Sequence, residues 1–115
     1  MQYLLLLYGD EKRWASMSEA QYKAGVAEYQ AFGKEFANAI LGSNPLQHTD
    51  TARTVRVRDG KQVNTDGPFA ETKEQLGGYY LIEAPDIDKA AEIAAKVPAA
   101  RYGCVEVRPI MKIPV

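Results

Sequence analysis

The chain reads as an α+β domain of ferredoxin-like architecture, a split βαβ protomer with an extra hairpin, and three observations predict it. Two nearly continuous apolar runs, Tyr3–Tyr8 and Gly78–Ala84, have the character of central strands. Two stretches with helical periodicity, one after each run, supply the covering layer. An alternating segment with a tight turn, Thr54–Val63, sits between the halves as the extra hairpin. The resulting order is β-α-β-β-β-α-β.

Each element has a local cause. Tyr3-Leu4-Leu5-Leu6-Leu7-Tyr8 is apolar on both faces of a strand, and Gly9-Asp10 breaks it. Ser18 can cap the first long helix, with Gln21 at the third helical position to complete a capping box. Tyr22, Val26, Tyr29, Phe32, Phe36 and Ile40 then recur at three- and four-residue spacing, which predicts a long amphipathic helix lying on a sheet. Ile40–Leu46 is a weaker strand, interrupted by Gly42 and Pro45. Thr54-Val55-Arg56-Val57-Arg58 alternates cleanly, and Asp59-Gly60 turns it back into Lys61-Gln62-Val63. Asp86 can cap an Ala-rich helix running through Ile87, Ala90, Ala91, Ala94 and Val97 to a stop at Pro98. Val105–Arg108 closes the set as an alternating strand, with Pro109 marking an edge or a strand end.

Two helices cover one face of such a sheet. The central strands are apolar on both faces, so the second face calls for a partner, and another copy of the same face is the simplest one. A homodimer is therefore expected. Length and composition agree with one domain over residues 1–115: 46% of residues are apolar and 25% charged. A net charge of −1 argues against a dedicated nucleic-acid partner. One cysteine excludes an internal disulfide framework and fits a reducing, cytoplasmic setting, and the Leu4–Leu7 run is far too short for a membrane span.

The stretch from Asp66 to Gly78 is the most unusual in the chain, with three carboxylates, one ammonium and three glycines between two strands. It supports two readings. In one, Asp66 or Glu71 acts as a general base and Lys73 holds an anionic group. In the other the stretch is a solvated turn with Phe69 plugged into the core. Arg56 and Arg58 share a strand face and offer an anion pocket, or else a charged strand that resists edge pairing. Tyr22, Tyr29, Tyr79 and Tyr80 either line a pocket for an aromatic ligand or belong to the core. His48, the sole histidine, lies in a polar run that reads as a surface loop, and Cys104 has no local base to activate it. No metal or other cofactor is expected, because one His and one Cys at distant positions lack ligand spacing.

Residues Asp66–Glu83, DGPFAETKEQLGGYYLIE, resemble the hallmark of the DGPF branch of the YCII-related proteins. The opening Tyr3–Glu11, the hairpin Thr54–Lys61 and the ending Val105–Ile110 resemble the same family, so the likeness covers nearly the whole chain. It implies a ferredoxin-like protomer in a dimeric α+β barrel. For enzyme-like relatives it implies a His–Asp pair in a cleft, and for one group a dehydrochlorinase acting on chlorinated aromatics. Attachment of related domains to sigma factors implies a ligand-sensing or regulatory use. The histidine of the enzyme-like branch would fall within Glu19–Gly25, where this chain has Tyr22 and Lys23 instead, and its aspartate near Glu35. The expected protein is thus a homodimer that binds a small molecule in a cleft near the Asp66–Glu74 loop, as a ligand-binding or regulatory module. The alternative is a small-molecule enzyme with lyase- or hydrolase-like acid–base chemistry on an aromatic or anionic substrate. Asp66 and Glu71 would then be catalytic, with Lys73, Arg56, Arg58, Tyr22 and Tyr79 contacting substrate.

Overall fold

Alternation along the first strand organises the whole body. In the computed structural model, which describes residues 1–114, β1 (Gln2–Gly9) buries Tyr3, Leu5 and Leu7 and leaves Leu4 and Leu6 half-exposed. It lies between β5 (Gln75–Glu83) and β6 (Cys104–Pro109), and β2 (Ile40–Pro45) adds to the far side of β5. All three pairings are antiparallel, in the order β2-β5-β1-β6. With α2 (Glu19–Glu35) between β1 and β2, and α3 (Ile87–Ala95) between β5 and β6, this is the split βαβ arrangement. A 3-10 turn (Thr49–Thr51) and the hairpin β3 (Arg53–Arg58) and β4 (Lys61–Asp66) stand between the halves as a separate two-stranded sheet.

One hydrophobic cluster holds the body together. Tyr3, Leu5, Leu7 and Ile82 from the sheet meet Phe32 of α2 and Ala90, Ile93 and Ala94 of α3, with Val97 closing the end. Leu5, Ile82, Ala90 and Val97 are completely buried. Phe32 packs edge-on against Tyr80, with ring centroids 5.0 Å apart, and at the same distance from Phe36. Leu4, Leu6, Tyr79 and Leu81 pair across β1 and β5 on the opposite face.

The helix starts follow their caps. Ser18 accepts from the Gln21 N–H at 3.1 Å while the Gln21 side chain accepts from the Ser18 N–H at 2.9 Å, so the capping box forms. Asp86 accepts from the Lys89 N–H at 2.8 Å and starts α3. At the hairpin tip Asp59 and Gly60 take φ values of 51° and 73°, the paired left-handed geometry that matches strand twist.

Four expectations need correction. The periodicity of α2 does not lay the whole helix on the sheet: it ends at Glu35, and Tyr22 and Val26 are exposed because the first turns border a cleft instead. Two short helices, α1 (Glu11–Ala15) and α4 (Ala99–Tyr102), occupy stretches with no predicted structure. Pro98 does not stop a helix that runs past Val97: α3 closes at Ala95, and Pro98 stands at the N-cap of α4. Phe69 is no core plug, since its ring is 82% exposed. Gly67 takes φ 98°, a turn that glycine enters without strain, and the chain leaves the hairpin there with Phe69 in solvent.

Candidate cleft between the short helices

Helix α1 is too short to be stable by itself, so its position depends on ties to its neighbours. Asp10 caps it by accepting from the Lys12 N–H at 2.9 Å. The Glu11 N–H donates to Gln75 Oε1 at 2.9 Å, which fastens the helix to β5. The Glu11 carboxylate accepts from the Thr49 N–H at 2.7 Å and from the Thr49 hydroxyl at 2.9 Å, which fastens it to the 3-10 turn. These ties fix Arg13 and Trp14. Trp14 lies against Gly9 and Gly77, where a Cβ would stand 3.0 Å from the ring at Gly9 and would overlap it at Gly77. The two glycines are what let the indole reach the sheet backbone.

Helix α4 forms the facing wall. Arg13 stacks over the Tyr102 ring, 3.7 Å from its centroid, and Arg101 approaches the same ring at 5.4 Å. Arg101 also pairs with Glu28 of α2, which joins the two helices across the cleft. That pair is half-exposed, so its value is positional more than energetic. A Cβ at Gly103 would overlap the Tyr8 carbonyl, so this glycine sets how closely α4 and β6 approach β1.

Together these elements enclose a cleft of about 920 Å³. Trp14, Tyr22, Tyr29 and Tyr102 give it aromatic walls, while Arg13, Glu28 and His48 supply polar groups. The Trp14 and His48 ring centroids are 6.2 Å apart. Burial pushes the Tyr29 hydroxyl above its ordinary pKa of 10.0, and the neighbouring Tyr80 acts in the same direction. The Ala99 N–H opposes them as the largest lowering influence. Tyr29 is therefore a neutral hydroxyl at physiological pH, able to donate a hydrogen bond.

Of the residues expected to be catalytic or to contact substrate, only Tyr22 lines this cleft, joined there by Tyr29 from the set of tyrosines offered as pocket walls. Asp66 ends β4, 89% exposed and 3.5 Å from Arg53 in an ion pair. Glu71 and Lys73 are exposed in the loop that follows. Arg56 and Arg58 project from the hairpin, where Arg58 donates to the Val57 carbonyl at 2.9 Å. Tyr79 lies on the sheet face away from the core, its hydroxyl accepting from the Asn44 amide at 2.9 Å. The Asp66–Glu74 loop contributes nothing to the walls of the cleft between α1, α2 and α4, because it departs with the hairpin. Burial first and Glu74 second raise the Cys104 thiol pKa, which disfavours its reactive thiolate. Among the described residues no group of three or more His, Cys, Asp or Glu side chains gathers as metal ligands.

Arg13, Trp14 and Tyr102 had no signal in spacing, since tertiary structure alone brings residues from both ends of the chain together. A weaker clue was present at Trp14, the one tryptophan, in a polar stretch without periodicity.

The YCII-related domain family matches residues 1–114. An uncharacterised protein of Rhizobium meliloti (strain 1021) is 36% identical over 114 residues, spanning 96% of this chain and 92% of that one. Among solved structures, the fold is similar to 5-chloro-2-hydroxyhydroquinone dehydrochlorinase from Burkholderia phenoliruptrix AC1100 in complex with 2,5-dihydroxybenzoquinone. The TM-score is 0.52 at 12% identity, over 96% of this chain and 94% of that one.

Proposed function

The chain belongs to the YCII-related domain family, and from that premise we propose that it is a homodimeric small-molecule-binding module whose ligand sits between α1, α2 and α4. The carrying observation is the cleft itself: concave, aromatic-walled, with a few convergent polar groups. Arg13 takes part in none of the ion pairs among the described residues, so its donors are available to an anionic group beside an aromatic ring. Tyr29 adds a hydroxyl that stays protonated. The ligand class that fits is a small aromatic anion.

Isothermal titration of the purified protein against aromatic carboxylates and phenolates tests this. Saturable binding is expected, and Arg13→Gln should weaken it by roughly two- to fivefold, the scale of one exposed cation contact. Asp66→Asn and Glu71→Gln should bind as the parent does. Absence of binding across the set, or loss confined to the two carboxylate variants, overturns the assignment.

The dimer in this proposal stacks Leu4, Leu6, Tyr79 and Leu81 on the same face of a second copy, as two sheets forming one barrel. Light scattering should give twice the chain mass, and Leu6→Asp should halve it. A cytoplasmic setting fits the single cysteine. Among the described residues no helix is long and apolar enough to cross a membrane.

A second reading is an enzyme acting by acid–base chemistry on a hydroxylated ring. His48 at the cleft, 6.2 Å from Trp14, favours it, since a lone imidazole there could carry a proton. The dehydrochlorinase of similar fold acts on a ring of that kind. Turnover of a cleft ligand, abolished by His48→Gln with binding retained, would select the enzyme over the binding module.

A further inference from the structure

The β3–β4 hairpin forms a sheet of its own, separate from the four-stranded body. Its strands span six residues each, a reach of about 20 Å. Its base is closed by the Gly67 N–H donating to the Ala52 carbonyl at 2.7 Å and the Thr54 hydroxyl donating to the Gly67 carbonyl at 2.9 Å. Beyond that base, the one extensive contact β3 and β4 make among the described residues is with each other. Val55 and Val57 share one hairpin face with Gln62 and Asn64 across from them, and they are 54% and 63% exposed. An isolated two-stranded hairpin is marginal in water, so an arm of this length needs something to lie on.

The shape of the molecule gives the same message. A compact chain of this length has a radius of gyration near 13 Å, whereas this one measures 16.3 Å, in a slab 48 × 47 × 19 Å.

We propose that the β3–β4 hairpin is an exchange arm that lays its Val55–Val57 face on the body of a second copy. This rests on the homodimer reading and adds to it a second, separate contact. Charge selects this occupant. Arg53, Arg56, Arg58 and Lys61 against Asp59 and Asp66 give the arm a net +2 in a chain of net −1, so the remaining residues carry −3. The arm of one copy is therefore attracted to the body of another. A two-fold axis makes the contact twice, each arm on the opposite body, and closes the assembly without leaving a free arm to recruit more copies.

The test uses the full chain. In a dimer assembled from isotope-labelled and unlabelled copies, filtered NMR should show transfer from the Val55 and Val57 methyls to protons of the other copy. Val55→Asp/Val57→Asp should raise the dimer dissociation constant at least about tenfold, because a charge placed in a covered site is costly, while helix and sheet signals stay unchanged. A parent that is monomeric by mass defeats both the dimer and the arm. A dimeric parent whose valine methyls show transfer only within their own copy, or none, defeats the arm and leaves the dimer standing. A double variant that dimerises as the parent does has the same meaning.

Discussion

Strands β1 and β3 both pair in antiparallel ladders, β1 with one irregularity between Leu7 and Tyr8. Their surroundings differ completely. Leu5 in β1 is fully buried under α2 and α3, whereas Val57 in β3 is 63% exposed on an arm with no layer above it. Strand character is a local property of residues 53–66, but burial is set by which distant elements arrive to cover them. The body receives two helices. The arm receives nothing from its own chain. The motif-bearing loop after Asp66 travels with the arm, which is why its conspicuous residues stand apart from the cleft while quieter ones, Arg13 and Tyr102, build it.

Substitutions sharpen that contrast. The largest effect belongs to the body: Leu5→Ala should cost about 2–5 kcal/mol in urea unfolding, the range for opening a cavity beneath a fully buried leucine. A cost near zero would mean that the body is as loosely packed as the arm. Ser18→Ala removes one half of the capping box and should cost about 1 kcal/mol by the same measurement. Phe69→Ala is expected to stay within about 0.5 kcal/mol, as for other exposed positions. A large loss there would show the loop ring covered in the assembled protein.

A pH experiment separates the regions by another route. Tyr29 has a raised pKa when folded, so the unfolded chain ionises first, and the stability linked to this group is present below pH 10.0 and is lost as pH rises through the folded value. Melting temperature should fall above about pH 10, and Tyr29→Phe should make that fall shallower. An identical alkaline profile in the variant would place the sensitivity elsewhere, Tyr80 being the next tyrosine whose pKa burial raises.

What the sequence made legible follows the range of the interactions. Ser18 with Gln21, Asp86 with Lys89 and the Asp59-Gly60 turn are decided within four residues, and each appears where its pattern places it. The order of strands was legible too, because continuous apolar runs belong at the centre of a sheet. Helices α1 and α4, of five and four residues, are shorter than any periodic signal. Phe69 was misjudged because apolar character was equated with burial, although a phenyl ring on a departing loop finds no core. The cleft was legible only in Tyr22 and Tyr29, offered as pocket walls on the first long helix; Trp14 and Tyr102 meet them only after the sheet has formed.

Trp14 is the chain's one tryptophan, and it lies in the cleft wall between Gly9, Gly77 and the opening. Its indole is consequently an intrinsic optical reporter with a single origin. Emission excited at the red edge of protein absorption comes from the cleft and from nowhere else in the molecule. A ligand bound at the proposed position beside Arg13 would change the polarity and quenching around that one ring. The protein arrives already labelled, in the wall of the proposed cleft.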